Sequence, residues 1–400
     1  MRGLASHCPA QPSMISSRMI SQNVLSVLDF CLQQQTEMLA TLQRLVEMES
    51  PSDNKAAIDL LGHVLAAEFE AAKCKVRFHQ VAEAGNHLQA GFPGSGAKKP
   101  ILLLGHFDTV WPTGTLAKMP FRMDNGRVFG PGVLDMKAGI VMMLYALHAL
   151  SSFGGEHRPV IVLLDTDEEV GSVTSRPIIE AVAKECEAVL VLEPAQGPQG
   201  MLKTSRKGVG DYTIRVHGLA SHAGVDFEKG HSAVVELARQ VLEVTKFVDL
   251  ERGITVNPGV VHGGTRTNVI AAEAYAEVDI RVARMADSKI LEEKFAALKP
   301  FDPHCRLELS GGINRPPMER TDGTVRLLRA AQEIGKTLRL ELGESATGGG
   351  SDGNFTSALG IPTLDGLGGV GEGAHAVNES IVWDELPRRT ALLAGLISAI

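Results

Sequence analysis

The sequence predicts an α/β protein: a doubly wound domain on a mixed, mostly parallel sheet, interrupted by a ferredoxin-like α+β insert. Three observations carry this. The runs starting at Ile101, Val160 and Ala188 are short and unbroken in apolar character, as strands buried on both faces of a parallel sheet are. Helix-patterned segments separate them, which is the alternation of a doubly wound fold. Between residues 207 and 313 the pattern changes to alternating strands and amphipathic helices in the order β-α-β-β-α-β, the order of a ferredoxin-like sandwich.

The elements follow in chain order. Apolar residues recur at helical spacing from Val24 to Met48, and Ser52-Asp53-Asn54 caps a second helix reaching Phe69. Two alternating stretches, 75–79 and 87–92, read as strands, and Pro93-Gly-Ser-Gly turns the chain into the central strand at Ile101. A Pro/Gly-rich loop leads to Asp135, at the mouth of a helix running to about Leu150. A helix at about 175–186 joins the strands at 160–164 and 188–192. In the insert, strands are expected at 211–217, 254–261, 268–282 and 306–309, with helices at 232–248 and 287–298. The first domain resumes with a helix at 324–338 and closes with one from about Asp384. The resulting division is a disordered leader at 1–22, a main domain at 23–206 and 314–400, and the insert at 207–313.

Composition narrows the function classes. Net charge is −8 with acids and bases interspersed, which argues against a nucleic-acid partner. No uninterrupted apolar run reaches about 18 residues, so no membrane span is expected. The five cysteines are scattered, which reads as reduced thiols in a cytoplasm. The leader has no apolar h-region, and Met14 and Met19 are alternative starts.

Each apolar strand ends in chemistry. Ile101-Leu-Leu-Leu-Gly exits into His106 and Asp108, the second strand exits into Asp165 through Glu169, and the third exits into Glu193. Open α/β sheets place their sites at these carboxyl ends. Asp135, and His375 in a glycine-rich loop, are expected on the same rim. So many acids in one crevice would repel unless cations neutralised them. Histidines and carboxylates without cysteine suit zinc, with cobalt or manganese as substitutes. Five ligands exceed one catalytic zinc and suit two ions sharing a bridging carboxylate. Two G-x-G-x-x-G matches, at 348–353 and 366–371, lack the β-α-β context of a dinucleotide site.

The stretches Gly105-His-Phe-Asp-Thr-Val, Gly130-Pro-Gly-Val-Leu-Asp-Met-Lys-Ala-Gly, Asp167-Glu-Glu-Val-Gly-Ser, Leu192-Glu-Pro, Gly218-Leu-Ala-Ser-His-Ala-Gly and the His375 loop carry a resemblance. In this order the chain, over about residues 25–400, resembles the zinc-dependent aminoacylase/glutamate carboxypeptidase metallopeptidases. Within them it is most similar to enzymes that trim C-terminal glutamate from folate-like amides. The resemblance implies that Asp135 bridges two zinc ions. Glu169 and His375 would complete one ion, and His106 and Glu193 the other. Glu168 would be the general base, Asp108 would orient His106, and His222 would stabilise the oxyanion. Asn268, Arg281 and Arg315 match positions near the substrate's carboxylate end, and Gly350 lies in the loop lining the pocket. The resemblance further implies a homodimer formed through the insert, with His222 reaching the partner's site. The expected substrate is a small peptide or N-acyl amino acid. Alternatives are an aminoacylase or dipeptidase with a neutral preference, or a non-catalytic binding protein of the same fold.

Overall fold

The structure, a computed structural model, describes residues 14–95, 98–153 and 156–400. Its main sheet has six strands in the spatial order Lys75–His79, His87–Phe92, Val160–Asp165, Ile101–His106, Ala188–Val191, Thr363–Leu364. The first two pairings are antiparallel and the other three parallel. The fold is therefore mixed α/β with a mostly parallel sheet. Ile101–His106 is buried at every position, because both of its faces are covered. Ile101 and Leu103 join the large core beneath the helices, while Leu102 and Leu104 pack with Leu163, Ile179 and Val191 on the opposite face. That explains the unbroken apolar run: neither face meets water.

The helix Ala138–Phe153 is apolar nearly all round and buried from Ile140 to Leu144, as a helix without a polar stripe must be. The longer stretch Val133–Phe153, interrupted by Asp135 and Lys137, is apolar enough in composition to cross a membrane, but 83% of its apolar window is buried inside this fold.

The N-terminal region departs from expectation. One helix was expected from Val24, but two form, Met14–Gln33 and Gln35–Glu47. Of the expected leader, residues 1–13 lie outside the described residues, and the chain is helical from Met14. No glycine or proline occurs from Met14 to Met48 to stop that helix, and Val24, Val27 and Cys31 anchor it in the main core.

Residues 208–315 build a second sheet of four antiparallel strands, ordered Thr255–Gly263, Glu273–Val282, Gly208–His217, Arg306–Arg315. Numbered along the chain this is second, third, first, fourth, the order of a ferredoxin-like sandwich. The helices Ala233–Thr245 and Met285–Ala296 pack on it over a core of its own, with Tyr212 and Phe295 stacked 3.9 Å apart between ring centroids. The third strand begins at Glu273 rather than Asn268, and the fourth runs on to Arg315. Thr255–Gly263 forms one edge and exposes Val261.

Two smaller sheets were not legible in the sequence. Leu202–Arg206 pairs in parallel with Glu344–Thr347. Four short strands, Gly371–Glu372, Ser380–Val382, Arg127–Phe129 and Arg122–Asp124, form the other. These segments of two to five residues are too short to show a periodicity, yet the last sheet brings the His375 loop beside Asp135.

Candidate metal centre

His106 is the final residue of the central strand, and the preceding Gly105 packs directly under the Met136 side chain. A Cβ there would come within 2.3 Å of the Met136 Cε. The His106 Nδ1 faces Asp108, 3.1 Å from its carbonyl oxygen and 3.3 Å from Oδ1. That leaves Nε2 pointing outward, 3.3 Å from Asp135 Oδ1 and 3.4 Å from Glu193 Oε1. Asp108 is itself fixed from behind, since its Oδ2 accepts the Ser52 hydroxyl at 2.7 Å and the Glu169 N–H at 3.3 Å.

The second histidine repeats the arrangement. His375 sits in the left-handed region at φ 61°, and its Nε2 lies 3.4 Å from Asp135 Oδ2 and 3.2 Å from Glu169 Oε2. Asp135 thus turns one oxygen to each histidine. Its loop is held by Glu379, a buried residue the sequence reading passed over. Glu379 Oε1 accepts the N–H groups of Leu134 and Asp135, and Oε2 accepts those of Gly132 and the Trp111 indole. Glu379 lies four residues after His375, so one short segment supplies a histidine and braces the shared aspartate.

These spacings can be tested against a metal. Ligand atoms at the corners of a zinc tetrahedron, with bonds of about 2.05 Å, are separated by about 3.3 Å. The four histidine–carboxylate separations run from 3.2 to 3.4 Å. The Glu169 Oε1 is buried without a hydrogen-bond donor among the described residues, and cysteine takes no part. The residues could hold divalent cations, with His106, Asp135 and Glu193 grouped on one side of the site and His375, Asp135 and Glu169 on the other. Tight three-residue clusters occur here as well, and one of them, His106–Glu168–Glu193, brings in Glu168.

The electrostatics agree. Burial favours a neutral His106, but bonds to Asp108, Asp135 and Glu193 lift its pKa well above the usual value. Bonds to Asp135 and Glu169 raise His375 to about 10. Burial works against the Asp135 charge, yet the two histidines hold its pKa below the ordinary carboxylate range. Burial raises Glu169.

Glu168 stands beside this cluster, and burial pushes its pKa well above the usual value against the pull of Arg315. Arg315, expected at the substrate's carboxylate, is engaged within the chain in this structure. It is 5% exposed. Its Nη2 contacts Glu168 Oε1 at 3.0 Å and donates to the Glu168 carbonyl and the Ser172 hydroxyl, while Nη1 pairs with Asp352. Its donors serve the protein itself, because the last strand of the second sheet ends directly behind Glu168.

Arg206, read from sequence only as a boundary, forms a matching pair across the site. It bridges both oxygens of Asp365 at 2.7 and 2.8 Å, and its Nη2 lies 3.3 Å from Glu193 Oε2. Gly350 lies between the two arginines. Its carbonyl accepts from Arg206 at 2.9 Å, and a Cβ would meet Arg315 Cδ at 2.9 Å. Gly350 is thus a spacer between buried arginines rather than a shown ligand contact.

His222, Asn268 and Arg281 are not brought to the cluster within this chain. All three belong to the second sheet or its loops. His222 and Asn268 are exposed neighbours, with the Ala223 N–H donating to the Asn268 carbonyl at 3.0 Å, and Arg281 pairs with Asp279 at 2.8 Å. None shares a hydrogen bond or ion pair with the six acidic and histidine residues around Asp135.

A fold of this kind, gathering two histidine–carboxylate sets around one aspartate at the ends of a mostly parallel sheet, has the donor set of a metal-dependent enzyme. Residues 102–399 match the profile of peptidase family M20/M25/M40. Carboxypeptidase G2 of Pseudomonas sp. (strain RS-16) is 32% identical over 376 residues, 91% of this chain and 89% of that protein. Among solved structures, a tripeptidase from Staphylococcus aureus superposes with a TM-score of 0.73 at 22% identity, covering 91% of this chain and 98% of that one. An M20 family metallo-carboxypeptidase from Sulfolobus solfataricus gives 0.69 at 18% identity, covering 90% and 98%. The chain belongs to peptidase family M20/M25/M40, and is a metallopeptidase.

Proposed function

We propose that this protein is a dizinc carboxypeptidase that hydrolyses an amide bond to release a C-terminal amino acid, of glutamate type, from a small peptide or N-acyl amino acid. The observation that carries the reading is the shared aspartate, with one Asp135 oxygen 3.3 Å from His106 and the other 3.4 Å from His375. Charge supports two ions. Arg206 is shared between Asp365 and Glu193, and Arg315 between Asp352 and Glu168, so Asp135 and Glu169 have only the two histidines opposite them, where divalent cations would supply the missing positive charge. Bound there, such cations polarise the scissile carbonyl and make water acidic near neutral pH.

The remaining roles belong to this chain's residues. Glu168, raised in basicity by burial and steadied by Arg315, takes a proton from the attacking water and returns it to the leaving nitrogen. Asp108 fixes the His106 ring so that Nε2 faces the site. Residues 207–313 act as a lid and dimerisation domain, pairing through the Thr255–Gly263 edge. His222 of that domain, exposed and without a partner carboxylate in the site of its own chain, completes the oxyanion site of the second subunit on closure. We place the protein in the cytoplasm, since the four described cysteines are buried free thiols.

The test is metal content together with hydrolysis of a panel of glutamate-terminal, neutral-terminal and C-terminally amidated peptides. About two ions per chain and preferential release of C-terminal glutamate are expected. Full activity after complete demetallation would overturn the reading, and a neutral preference would favour an aminoacylase or dipeptidase. For the lid, mixing His222→Ala with Glu168→Ala subunits should restore roughly a quarter of wild-type activity. No recovery despite confirmed exchange would place His222 in its own chain.

A further inference from the structure

His87 opens the second strand of the main sheet and is fully buried. Its ring meets a hydroxyl on each side, with Nδ1 3.1 Å from Thr166 Oγ1 and Nε2 3.0 Å from Thr174 Oγ1. A buried imidazole is costly unless its nitrogens are satisfied, and the two hydroxyls that satisfy these are themselves engaged. Thr166 donates to the Gly85 carbonyl at 2.7 Å. That approach needs a residue without a side chain, since a Cβ on Gly85 would meet Ile58 Cγ2 at 2.3 Å and Thr166 Cβ at 3.0 Å. The Thr174 hydroxyl donates to Asp167 Oδ2 at 2.7 Å. Its one hydrogen is thus placed, so the contact with His87 requires the ring to carry a hydrogen on Nε2 and to donate it. Burial pushes the His87 pKa below its usual value, which favours the neutral ring. Nδ1 then faces Thr166 as an acceptor and shares that hydroxyl's hydrogen with the Gly85 carbonyl.

Donors therefore run in one direction, from His87 through Thr174 to Asp167, and Asp167 holds the turn that carries Glu168 and Glu169. Its Oδ2 accepts the Thr174 N–H as well as the hydroxyl, both at 2.7 Å, and its carbonyl accepts the Ser172 N–H at 2.7 Å. Side chain and backbone of one residue thus close the segment 167–174. Inside it Gly171, in the left-handed region at φ 100°, donates to the Glu168 carbonyl at 3.0 Å. Asp167 Oδ1 is buried without a partner among the described residues, so the carboxylate grips the turn through Oδ2. One of the two donors there is the Thr174 hydroxyl, and a hydroxyl that accepts a hydrogen bond becomes a stronger donor in its turn.

We propose that His87 is a positioning residue for the reaction: by donating to Thr174 it fixes the Asp167 turn, and through that turn the carboxylates of Glu168 and Glu169. This rests on the reading above of Glu168 as general base and Glu169 as a metal-binding carboxylate. A displacement of about 1 Å at a reacting group can cost about 10²-fold in rate, so a buried bond that sets the pose of this turn acts on turnover and not only on folding.

The experiment compares metal-loaded wild type, His87→Leu, His87→Gln, Thr174→Val and Thr174→Ser by kcat, KM, metal content and urea midpoint, with the dipeptide alanyl-glutamate as substrate. His87→Gln keeps an N–H donor near the Nε2 position and Thr174→Ser keeps the hydroxyl, whereas His87→Leu and Thr174→Val remove them. The two removals should each lower kcat about tenfold or more with KM little changed, and the two conservative variants should recover most of the loss. The double variant His87→Leu/Thr174→Val should be no slower than Thr174→Val, because both changes break one chain of bonds. Nitrogen NMR of wild type should show the His87 ring with its hydrogen on Nε2. Unchanged kcat in the two removals would overturn the proposal, even with a lower urea midpoint, since the bonds would then be purely structural. Additive losses in the double variant, or His87→Gln as slow as His87→Leu, would overturn it as well. Should His87→Leu not fold, Thr174→Val against Thr174→Ser decides by the same criterion. Failure of wild type to hydrolyse any peptide would instead sink the peptidase reading, while the nitrogen spectrum still reports the His87 bonds, so the two failures are distinguishable.

Discussion

Arg315 Nη2 lies 3.0 Å from Glu168 Oε1 and also donates to the Glu168 carbonyl at 2.8 Å. One guanidinium thus holds both the side chain and the backbone of the expected base, and it comes from the last residue of the second sheet. Arg315→Met should lower kcat by about 10²-fold, in the range of losing a general base, with KM little changed. The guanidinium opposes the rise in the Glu168 pKa, so its loss should also move the acid limb of kcat/KM to higher pH. A steep rise in KM with kcat intact would return Arg315 to the substrate's carboxylate. Glu168→Gln should lose turnover similarly while keeping its metal.

Metal uptake should release protons. His375 is raised to about 10 by Asp135 and Glu169, and His106 well above its usual value. The His375 ring is therefore protonated at neutral pH in the metal-free protein, the shift of His106 runs in the same direction, and both rings must be neutral to bind a cation. Calorimetry in buffers of different ionisation enthalpy should detect about one proton released per ion. Apparent metal affinity should rise with pH between 6 and 9, and a flat pH dependence would contradict this protonation scheme. In the metal-free chain the sign for stability is opposite. The histidine contribution is complete below the ordinary pKa of about 6.5, and for His375 it is lost as pH rises towards about 10.

Glu379 is expected to act on metal content as well as on folding. Its carboxylate accepts four N–H groups, three of them from the backbone at 132–135. Glu379→Ala leaves these donors without an acceptor, at a cost of about 3 kcal/mol or more, and frees Asp135 from its setting. Metal analysis of the folded fraction should show loss from both positions, because Asp135 serves both histidines. Retention of two ions would mean that the loop holds its shape without Glu379.

Arg389 offers a test of the scaffold alone. It is 1% exposed and donates to the carbonyls of Gly366, Gly368 and Gly200 at 2.6 to 3.0 Å. Burial, without a carboxylate bonded to it, lowers its pKa to about 10. Arg389→Met removes three bonds to a loop whose Gly368 N–H in turn donates to the Glu193 carbonyl at 2.9 Å. A loss of about 3 kcal/mol is expected, read as a lower urea midpoint at unchanged slope. An unchanged midpoint would show that other contacts hold the loop.

Much of this centre was legible before any coordinates. His106, Asp108, Glu168, Glu169 and Glu193 follow apolar strands directly, and a strand's exit has a fixed place in a parallel sheet. Asp135 and His375 were legible through their glycine-rich surroundings and the resemblance. Glu379, Arg206, Asp352 and Asp365 carried no such signal. Each is a single polar residue in a short or irregular segment, and its partners lie 13 to 268 residues away.

What the sequence by itself determined, then, is the α/β layout and the donor types at the strand ends, because burial on both faces and strand termination are local properties of the chain. The tertiary structure decided the partnerships. Only packing set Arg315 against Glu168 instead of leaving it to a ligand, and only packing set Arg206 between Asp365 and Glu193. A buried charge takes the nearest opposite charge that its backbone can present, and that geometry emerges only when strands distant in sequence meet.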